Sequence, residues 1–114
     1  MKKNTGITRV LLAFKHSGKG FKFLITKEAA FQQEFILAAV LAPLSFFISQ
    51  SLSELLLLLM SLVLVLIVEI LNTAIEATVD RIGQEYHELS GLAKDLGSMA
   101  VLISLLFAAG VWVT

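Results

Sequence analysis

A polar stripe directly after the most apolar run of the chain is the best candidate for chemistry. The run covers residues 55–68, and the stripe consists of Glu69, Asn72, Glu76 and Asp80, called the acidic stripe below. On a helix the last three fall at about −60°, −20° and +20° from Glu69, so all four share one face. Carboxylates in or beside a bilayer usually have a function there, and three acids with an amide suit a divalent cation. The alternative is a solvated acidic face at a helix end.

Three further groups of polar residues should meet this stripe at one membrane surface. Acids that hold Mg²⁺ beside bases that hold phosphate are the parts that phosphoryl transfer needs. Glu69 is the deepest acid of the stripe, which makes it the candidate proton acceptor for a lipid hydroxyl. The groups are Glu28, Gln32, Gln33 and Glu34; Arg81, Glu85, His87, Glu88, Lys94 and Asp95; and Arg9, His16 and Lys19.

The composition indicates a small integral membrane protein made of helices. The chain has 114 residues, 57% of them hydrophobic, and its mean hydropathy of +0.86 is too high for an ordinary soluble domain. The pattern predicts an amphipathic interfacial helix over 1–27 and transmembrane helices at about 30–49, 52–76 and 96–113. It also predicts a cytoplasmic loop over 80–95. Gly18 and Gly20 predict a bend or break in the first helix.

Basic residues set the expected orientation. Seven of the nine Lys and Arg residues lie within 1–27, and the other two, Arg81 and Lys94, lie between the second and third spans. These regions share a side if two spans separate them, so the N-terminus should be cytoplasmic. We expect Trp112 at the opposite interface.

Small residues in the third span predict close helix packing. Ala100, Ser104 and Ala108 recur every four residues, a spacing that lets helices approach closely in lipid. The contact could lie within the chain or between subunits. Three thin helices enclose little volume, so a polar site favours an oligomer.

Several other classes of site are excluded or disfavoured. The segment 17–20 (SGKG) resembles the end of a phosphate loop, but Ala13 stands where such a loop needs its first glycine, and Gly20 stands where it needs Ser or Thr. His16 and His87 have no zinc-type partners, and the absence of Cys excludes disulfides and thiolate metal sites. The basic N-terminus favours lipid headgroups over nucleic acid because its apolar residues recur at helical spacing.

Three segments of the chain together resemble the prokaryotic diacylglycerol kinase family. They are 28–34 (EAAFQQE), 69–82 (EILNTAIEATVDRI) and 85–98 (EYHELSGLAKDLGS), and the likeness extends over nearly the whole chain. The resemblance implies a homotrimer with a surface helix and three spans per subunit, and active sites built between subunits. It also implies ATP as co-substrate with Mg²⁺, and diacylglycerol as the lipid partner.

The resemblance further implies a role for each candidate site residue. Glu69 would be the general base, and Glu28 and Glu76 would bind the metal that bridges the ATP phosphates. His16 and Met99 depart from the aromatic hydroxyl and the small residue that we expect there. The remaining roles are nucleotide contacts from Arg9, His16, Glu28, Glu76, Glu85, Tyr86, His87, Lys94 and Asp95, lipid contacts from Gln33, Glu34, Glu69 and Ser98, and support from Asn72 and Asp80.

The expected function is ATP-dependent phosphorylation of diacylglycerol to phosphatidic acid in a bacterial inner membrane. One alternative is undecaprenol kinase, with the same chemistry on a longer alcohol. A proton or ion channel would use the acids as a relay, but has no need of Lys94, Asp95 and His87. A non-catalytic membrane subunit or chaperone would not need acids in helical register.

Overall fold

The described part of the chain, residues 6–83 and 87–114 of a computed structural model, consists of four α-helices. They are α1 (Gly6–Lys27), α2 (Ala29–Ile48), α3 (Leu52–Ile82) and α4 (Glu88–Val113). α2, α3 and α4 are each long and apolar enough to cross a membrane. The predicted N-terminal helix and three spans are therefore confirmed. The chain divides into two compact units, Met1–Gln32 and Gln33–Thr114.

The first unit contains α1 and the first turn of α2. α1 is one continuous helix through Gly18 and Gly20, so the predicted break is wrong. A glycine in a helix costs only about 1 kcal/mol, too little to break a helix that its neighbours support. The edge of the Phe21 ring packs on Phe31 with centroids 6.1 Å apart, and Gln32 Nε2 donates a hydrogen bond to the Ile25 carbonyl.

The second unit buries one face of α3 and exposes most of its large apolar side chains. Met60 is 64% exposed and Val63 52% exposed, so these apolar side chains are available to contact lipid or a neighbouring subunit. α3 packs most closely against α4. The buried face of α3 mixes apolar with polar residues: Leu58, Ser61, Leu62, Val65, Glu69, Asn72 and Thr73.

Buried serines in the three spans satisfy their own hydroxyls. Ser45, Ser61 and Ser104 are almost completely buried. Each Oγ donates to the carbonyl three residues earlier in its own helix, at 2.6 Å to Ala42, 2.7 Å to Leu58 and 2.8 Å to Val101.

The small residues predicted to form a packing stripe on the third span differ in burial. Ser104 is buried and Ala108 is half-buried, whereas Ala100 is exposed. The stripe therefore serves packing within the chain at its middle and leaves Ala100 open.

The polar segment between α3 and α4 is mostly helical, so the predicted loop over 80–95 was too long. α3 runs to Ile82, and α4 begins at Glu88. The Gly83 N–H bonds to the Val79 carbonyl at the end of α3. At the start of α4, His87 Nδ1 accepts a hydrogen bond from the Leu89 N–H at 3.1 Å, which supplies an N-cap.

Candidate functional site

The acidic stripe runs along α3 from a buried end to a solvent-exposed end. Glu69 is 6% exposed and Asn72 9%, Glu76 is half-buried, and the Asp80 side chain is 65% exposed. Glu69 is thus the most buried acid of the stripe, and its depth in the membrane stays a prediction. The alternative of a solvated acidic face is wrong for Glu69 and Asn72, because those two side chains are buried.

A second acid from α2 meets Glu69. The Glu34 and Glu69 carboxyl groups lie within hydrogen-bond reach of each other, and we call them the carboxyl pair. The pair lies within the second unit, where α2 and α3 each bring one acid to the same place.

Three buried acceptor oxygens, two of the carboxyl pair and one of the neighbouring Asn72, receive no hydrogen bond from the described residues. Glu34 Oε2, Glu69 Oε2 and Asn72 Oδ1 are shielded from solvent, and no N–H or hydroxyl of residues 6–83 and 87–114 bonds to them. An unpaired buried acceptor is unfavourable and usually has a functional explanation. These three oxygens can therefore receive an O–H donor, which a substrate hydroxyl carries.

α4 approaches Asn72 very closely at Gly97. Gly97 is buried, and a Cβ at this position would overlap Asn72 Oδ1. Only a glycine leaves room for the Asn72 amide here. The lack of a side chain at Gly97 therefore leaves space for the Asn72 amide, which lies one helical turn from Glu69 on α3.

A charged group lies farther out along the stripe. Lys94 Nζ of α4 binds Asp80 Oδ1 of α3 at 2.8 Å, and the Glu76 carboxylate is close enough to act on the same ammonium group. This arrangement ties the two helices together at the exposed end of the stripe. Because its Nδ1 caps α4, a neutral His87 carries its proton on Nε2 and can offer a donor to a ligand.

The other predicted site residues lie apart from these contacts. Gln33, Asp95 and Ser98 are exposed in the second unit, and the described ranges show no side-chain hydrogen bond or ion pair from them to the acidic stripe. In the first unit, Glu28 is half-buried between the end of α1 and the start of α2. The predicted nucleotide contacts Arg9 and His16 are exposed on α1. The predicted nucleotide contacts Glu85 and Tyr86 lie outside the described residues.

The donor set fits Mg²⁺ bound through a nucleotide. Within 6–83 and 87–114, no three His, Cys, Asp or Glu side chains come together to hold a metal ion by themselves. Mg²⁺ is commonly held by one or two carboxylates together with substrate phosphates. Glu76 offers a half-buried carboxylate beside the ammonium of Lys94, so an acid and a base lie together as a metal–phosphate complex requires.

Sequence comparison identifies the family. The sequence profile described as prokaryotic diacylglycerol kinase matches residues 15–114. The chain belongs to the prokaryotic diacylglycerol kinase family.

Curated members of the family align over almost all of the chain. Diacylglycerol kinase of Haemophilus influenzae is 46% identical over 112 residues, which covers 98% of this chain and 95% of that protein. The Escherichia coli K12 enzyme is 48% identical over 108 residues, covering 95% of this chain and 88% of that protein. The Pseudomonas aeruginosa enzyme is 44% identical over 113 residues, covering 99% and 92%.

Sequence reasoning missed two features that shape the site. It assigned no contact between Glu34 and Glu69, although two acids within apolar segments are candidates for pairing. It also gave Gly97 no role. A glycine followed by further small residues in a span is a signal for close helix approach, and that signal was available.

Proposed function

We propose that this protein is an ATP-dependent lipid kinase that converts diacylglycerol to phosphatidic acid. The observation that carries the proposal is the set of three buried acceptor oxygens, at Glu34, Glu69 and Asn72, for which residues 6–83 and 87–114 provide no donor. A primary hydroxyl supplies one O–H donor and has no charge to desolvate. The names of the curated relatives support diacylglycerol as the molecule that carries this hydroxyl.

In the proposed reaction Glu69 is the general base. It accepts the proton of the lipid hydroxyl while that oxygen attacks the γ-phosphorus of ATP in line. The bond from the γ-phosphorus to the β,γ-bridging oxygen breaks, so the products are phosphatidic acid and ADP. Glu34 orients the Glu69 carboxyl by the contact between them. The proton then leaves toward solvent along the acidic stripe.

The exposed end of the stripe would bind the nucleotide. Lys94 would shift from Asp80 to the transferring phosphoryl group, and Asp80 would keep the lysine in place until ATP arrives. Glu28 and Glu76 would hold Mg²⁺, which when bound offsets charge on the phosphates. The other proposed nucleotide contacts are Arg9, His16, Glu85, Tyr86, His87 and Asp95.

The proposed lipid contacts lie on α2 and α4. Gln33 and Ser98 are exposed residues next to Glu34 and Gly97, respectively, so they can reach the glycerol part of a lipid from the membrane surface. Asn72 supports the site by its place one turn from Glu69.

We also propose where the enzyme works and in what assembly. The distribution of Lys and Arg supports a multi-pass protein of the bacterial inner membrane with its N-terminus and ATP site on the cytoplasmic side. α1 would lie at the interface with its exposed apolar side chains, such as Phe14 at 74% exposure, in the lipid. A homotrimer with active sites shared between subunits is the proposed oligomer.

The decisive test is transfer of labelled phosphate from ATP to a panel of lipid alcohols by purified protein in mixed micelles. Wild-type protein should phosphorylate diacylglycerol in preference to undecaprenol. Glu69→Gln should lower kcat by about 10²–10⁴-fold, the usual contribution of a positioned base, while KM for Mg-ATP changes little. Glu69→Asp should also be poor because the shorter side chain withdraws the carboxylate.

Glu54→Gln is the matched control, since Glu54 is an exposed acid at the other end of α3. It should retain wild-type turnover. Full turnover by Glu69→Gln would remove the base assignment. Proton flux in liposomes that Glu69→Gln abolishes, with no lipid phosphorylation by wild type, would show a channel instead.

A further inference from the structure

The ion pair between α3 and α4 joins the lysine proposed to contact the transferring phosphoryl group to a carboxylate. Lys94 Nζ lies 2.8 Å from Asp80 Oδ1. Both side chains are open to water, at 43% exposure for Lys94 and 65% for Asp80. Glu76 precedes Asp80 by one helical turn on the same face of α3, and it is close enough to act on the ammonium group. Lys94 therefore has two anionic neighbours before any phosphate arrives.

An incoming phosphate meets Asp80 whichever way Lys94 moves. An ammonium group has three donors and, among residues 6–83 and 87–114, Lys94 Nζ uses one of them, on Asp80. If Lys94 leaves Asp80, the phosphate must replace the energy of the ion pair. If Lys94 keeps Asp80, the phosphate and the carboxylate share one ammonium group, and their like charges repel. In both cases Asp80 lowers the affinity of Lys94 for phosphate.

The ion pair can open without separating α3 from α4. At the other end of these helices, the Trp112 indole Nε1–H donates to Ser61 Oγ at 3.0 Å, and Ser61 is completely buried. Residues 94–112 lie between the two contacts, which places them about 27 Å apart along α4 at ~1.5 Å per residue. The buried bond is shielded from water, whereas the exposed pair is screened by salt. The exposed pair is therefore the contact that can exchange one partner for another during turnover.

We propose that Asp80 is a positioning residue that competes with phosphate for Lys94, and that this competition weakens the binding of both the nucleotide and the phosphorylated product. The inference rests on the proposed kinase function and names the regulation of that same site. Before ATP binds, Asp80 keeps the ammonium group beside Glu76, where the metal–phosphate complex would form. After transfer the phosphoryl group is on the lipid, and Asp80 takes Lys94 back. The anionic product then leaves, because its phosphate has lost a cation.

The size of the effect follows from the exposure of the pair. Ion pairs between exposed side chains change an equilibrium by about 1.5- to 5-fold, far less than the loss of one partner from a buried pair. Removing the charge of Asp80 should therefore strengthen the binding of phosphate ligands by up to about fivefold. The same change frees Lys94 from its position, so turnover should fall by a similar factor. A KM that falls together with kcat distinguishes this role from damage to the fold, which would raise KM.

Equilibrium binding tests the competition without turnover. The probes are the magnesium complexes of ADP and of a non-hydrolysable ATP analogue, titrated by calorimetry into wild-type protein and Asp80→Asn, a change that keeps the shape of the side chain and removes its charge. We expect Asp80→Asn to bind the ATP analogue about two- to fivefold more tightly. The gain for ADP should be smaller, because Lys94 is proposed to contact the terminal phosphoryl group. Unchanged or weaker binding of the analogue, or an equal gain for ADP, would overturn the proposal.

Three matched variants separate competition for Lys94 from a general loss of negative charge. Glu54→Gln removes an exposed acid from the other end of α3 and should leave the affinity for the analogue unchanged. Asp80→Glu keeps the charge and should retain wild-type affinity and turnover; a gain in affinity equal to that of Asp80→Asn would contradict the competition. In a Lys94→Gln background, Asp80→Asn should no longer strengthen binding, because the contested ammonium group is gone. A gain of full size in that background would show plain repulsion by Asp80 and overturn the proposal.

Kinetics and salt extend the test to the product. In mixed micelles, Asp80→Asn should show a lower KM for Mg-ATP, a lower kcat and stronger inhibition by added phosphatidic acid, each by about two- to fivefold. The ratio of variant to wild type should approach one at about 1 M salt, where the Debye length is ~3 Å. A higher KM with an intact fold, or product inhibition equal to that of wild type, would overturn the proposal. Tighter binding of the ATP analogue by Asp80→Asn, when the wild-type protein phosphorylates no lipid, would contradict the proposed function and leave the role of Asp80 standing.

Discussion

Replacing Gly97 by Ala is the sharpest test of how α4 positions the site. A Cβ at this position would overlap Asn72 Oδ1, whereas Asn72 Cβ would stand 3.9 Å away, an ordinary contact distance. Overpacking of this kind usually destabilises by about 1–3 kcal/mol. Gly110→Ala provides the control, since Gly110 is also on α4 and a Cβ there would meet nothing within 4 Å. The helix propensity gain of up to about 1 kcal/mol applies to both changes.

The difference between the two variants therefore isolates the collision. We expect Gly97→Ala to be less stable than Gly110→Ala by about 1–3 kcal/mol in unfolding by SDS in mixed micelles. Turnover of Gly97→Ala should fall by about 10- to 100-fold, because the displaced amide lies one turn from the proposed base.

A double-mutant cycle with Asn72→Ala completes the test. That change removes the oxygen with which the new Cβ collides, so Gly97→Ala should no longer destabilise in its background. The coupling energy between the two sites should be about 1–3 kcal/mol. Equal stability of Gly97→Ala and Gly110→Ala, or additive effects in the cycle, would refute the close approach.

Further expectations concern the metal, the topology and the assembly. Glu76→Gln should lose most Mg²⁺-dependent turnover while the fold is retained, with partial recovery at raised Mg²⁺; near-normal activity at ordinary Mg²⁺ would exclude Glu76 from the metal site. Cysteines at positions of Lys3 and Ser51 should be labelled from opposite sides of spheroplasts, and labelling of both from outside would reverse the orientation. Cross-linking in mild detergent should trap trimers, and mixed oligomers of Glu28 and Glu69 variants should regain activity. Failure of confirmed mixed trimers to complement would mean that one chain supplies both residues.

The helical period was enough to predict that the residues of the acidic stripe share one face, but not which residues of α2 and α4 contact them. Glu69, Asn72, Glu76 and Asp80 share a face because a fixed rotation per residue puts them there. The contact of Glu34 with Glu69 depends on how α2 is rotated against α3, which no local pattern specifies. For the same reason the close approach of α4 to Asn72 could not be predicted from the sequence.

Local rules also failed where a particular contact outweighed a general preference. His87 is not among the usual N-cap residues, so the start of α4 at Glu88 was not expected from the sequence. Trp112 was predicted as an interfacial belt residue because of its amphipathic ring. That position stays a prediction, whereas the bond from its indole N–H to buried Ser61 is a contact that the sequence did not indicate.

The buried serines bear on how the chain enters a bilayer. Ser45, Ser61 and Ser104 each bond to a carbonyl of their own helix, so none of these hydroxyls needs a neighbouring helix at the moment of insertion. In the described part of the chain, the Glu69 side chain bonds to no group of its own helix, and its contact is Glu34 on another span. Insertion of α3 should therefore halt short of full depth until α2 is alongside. The acid proposed for catalysis would then also set the order in which the spans assemble.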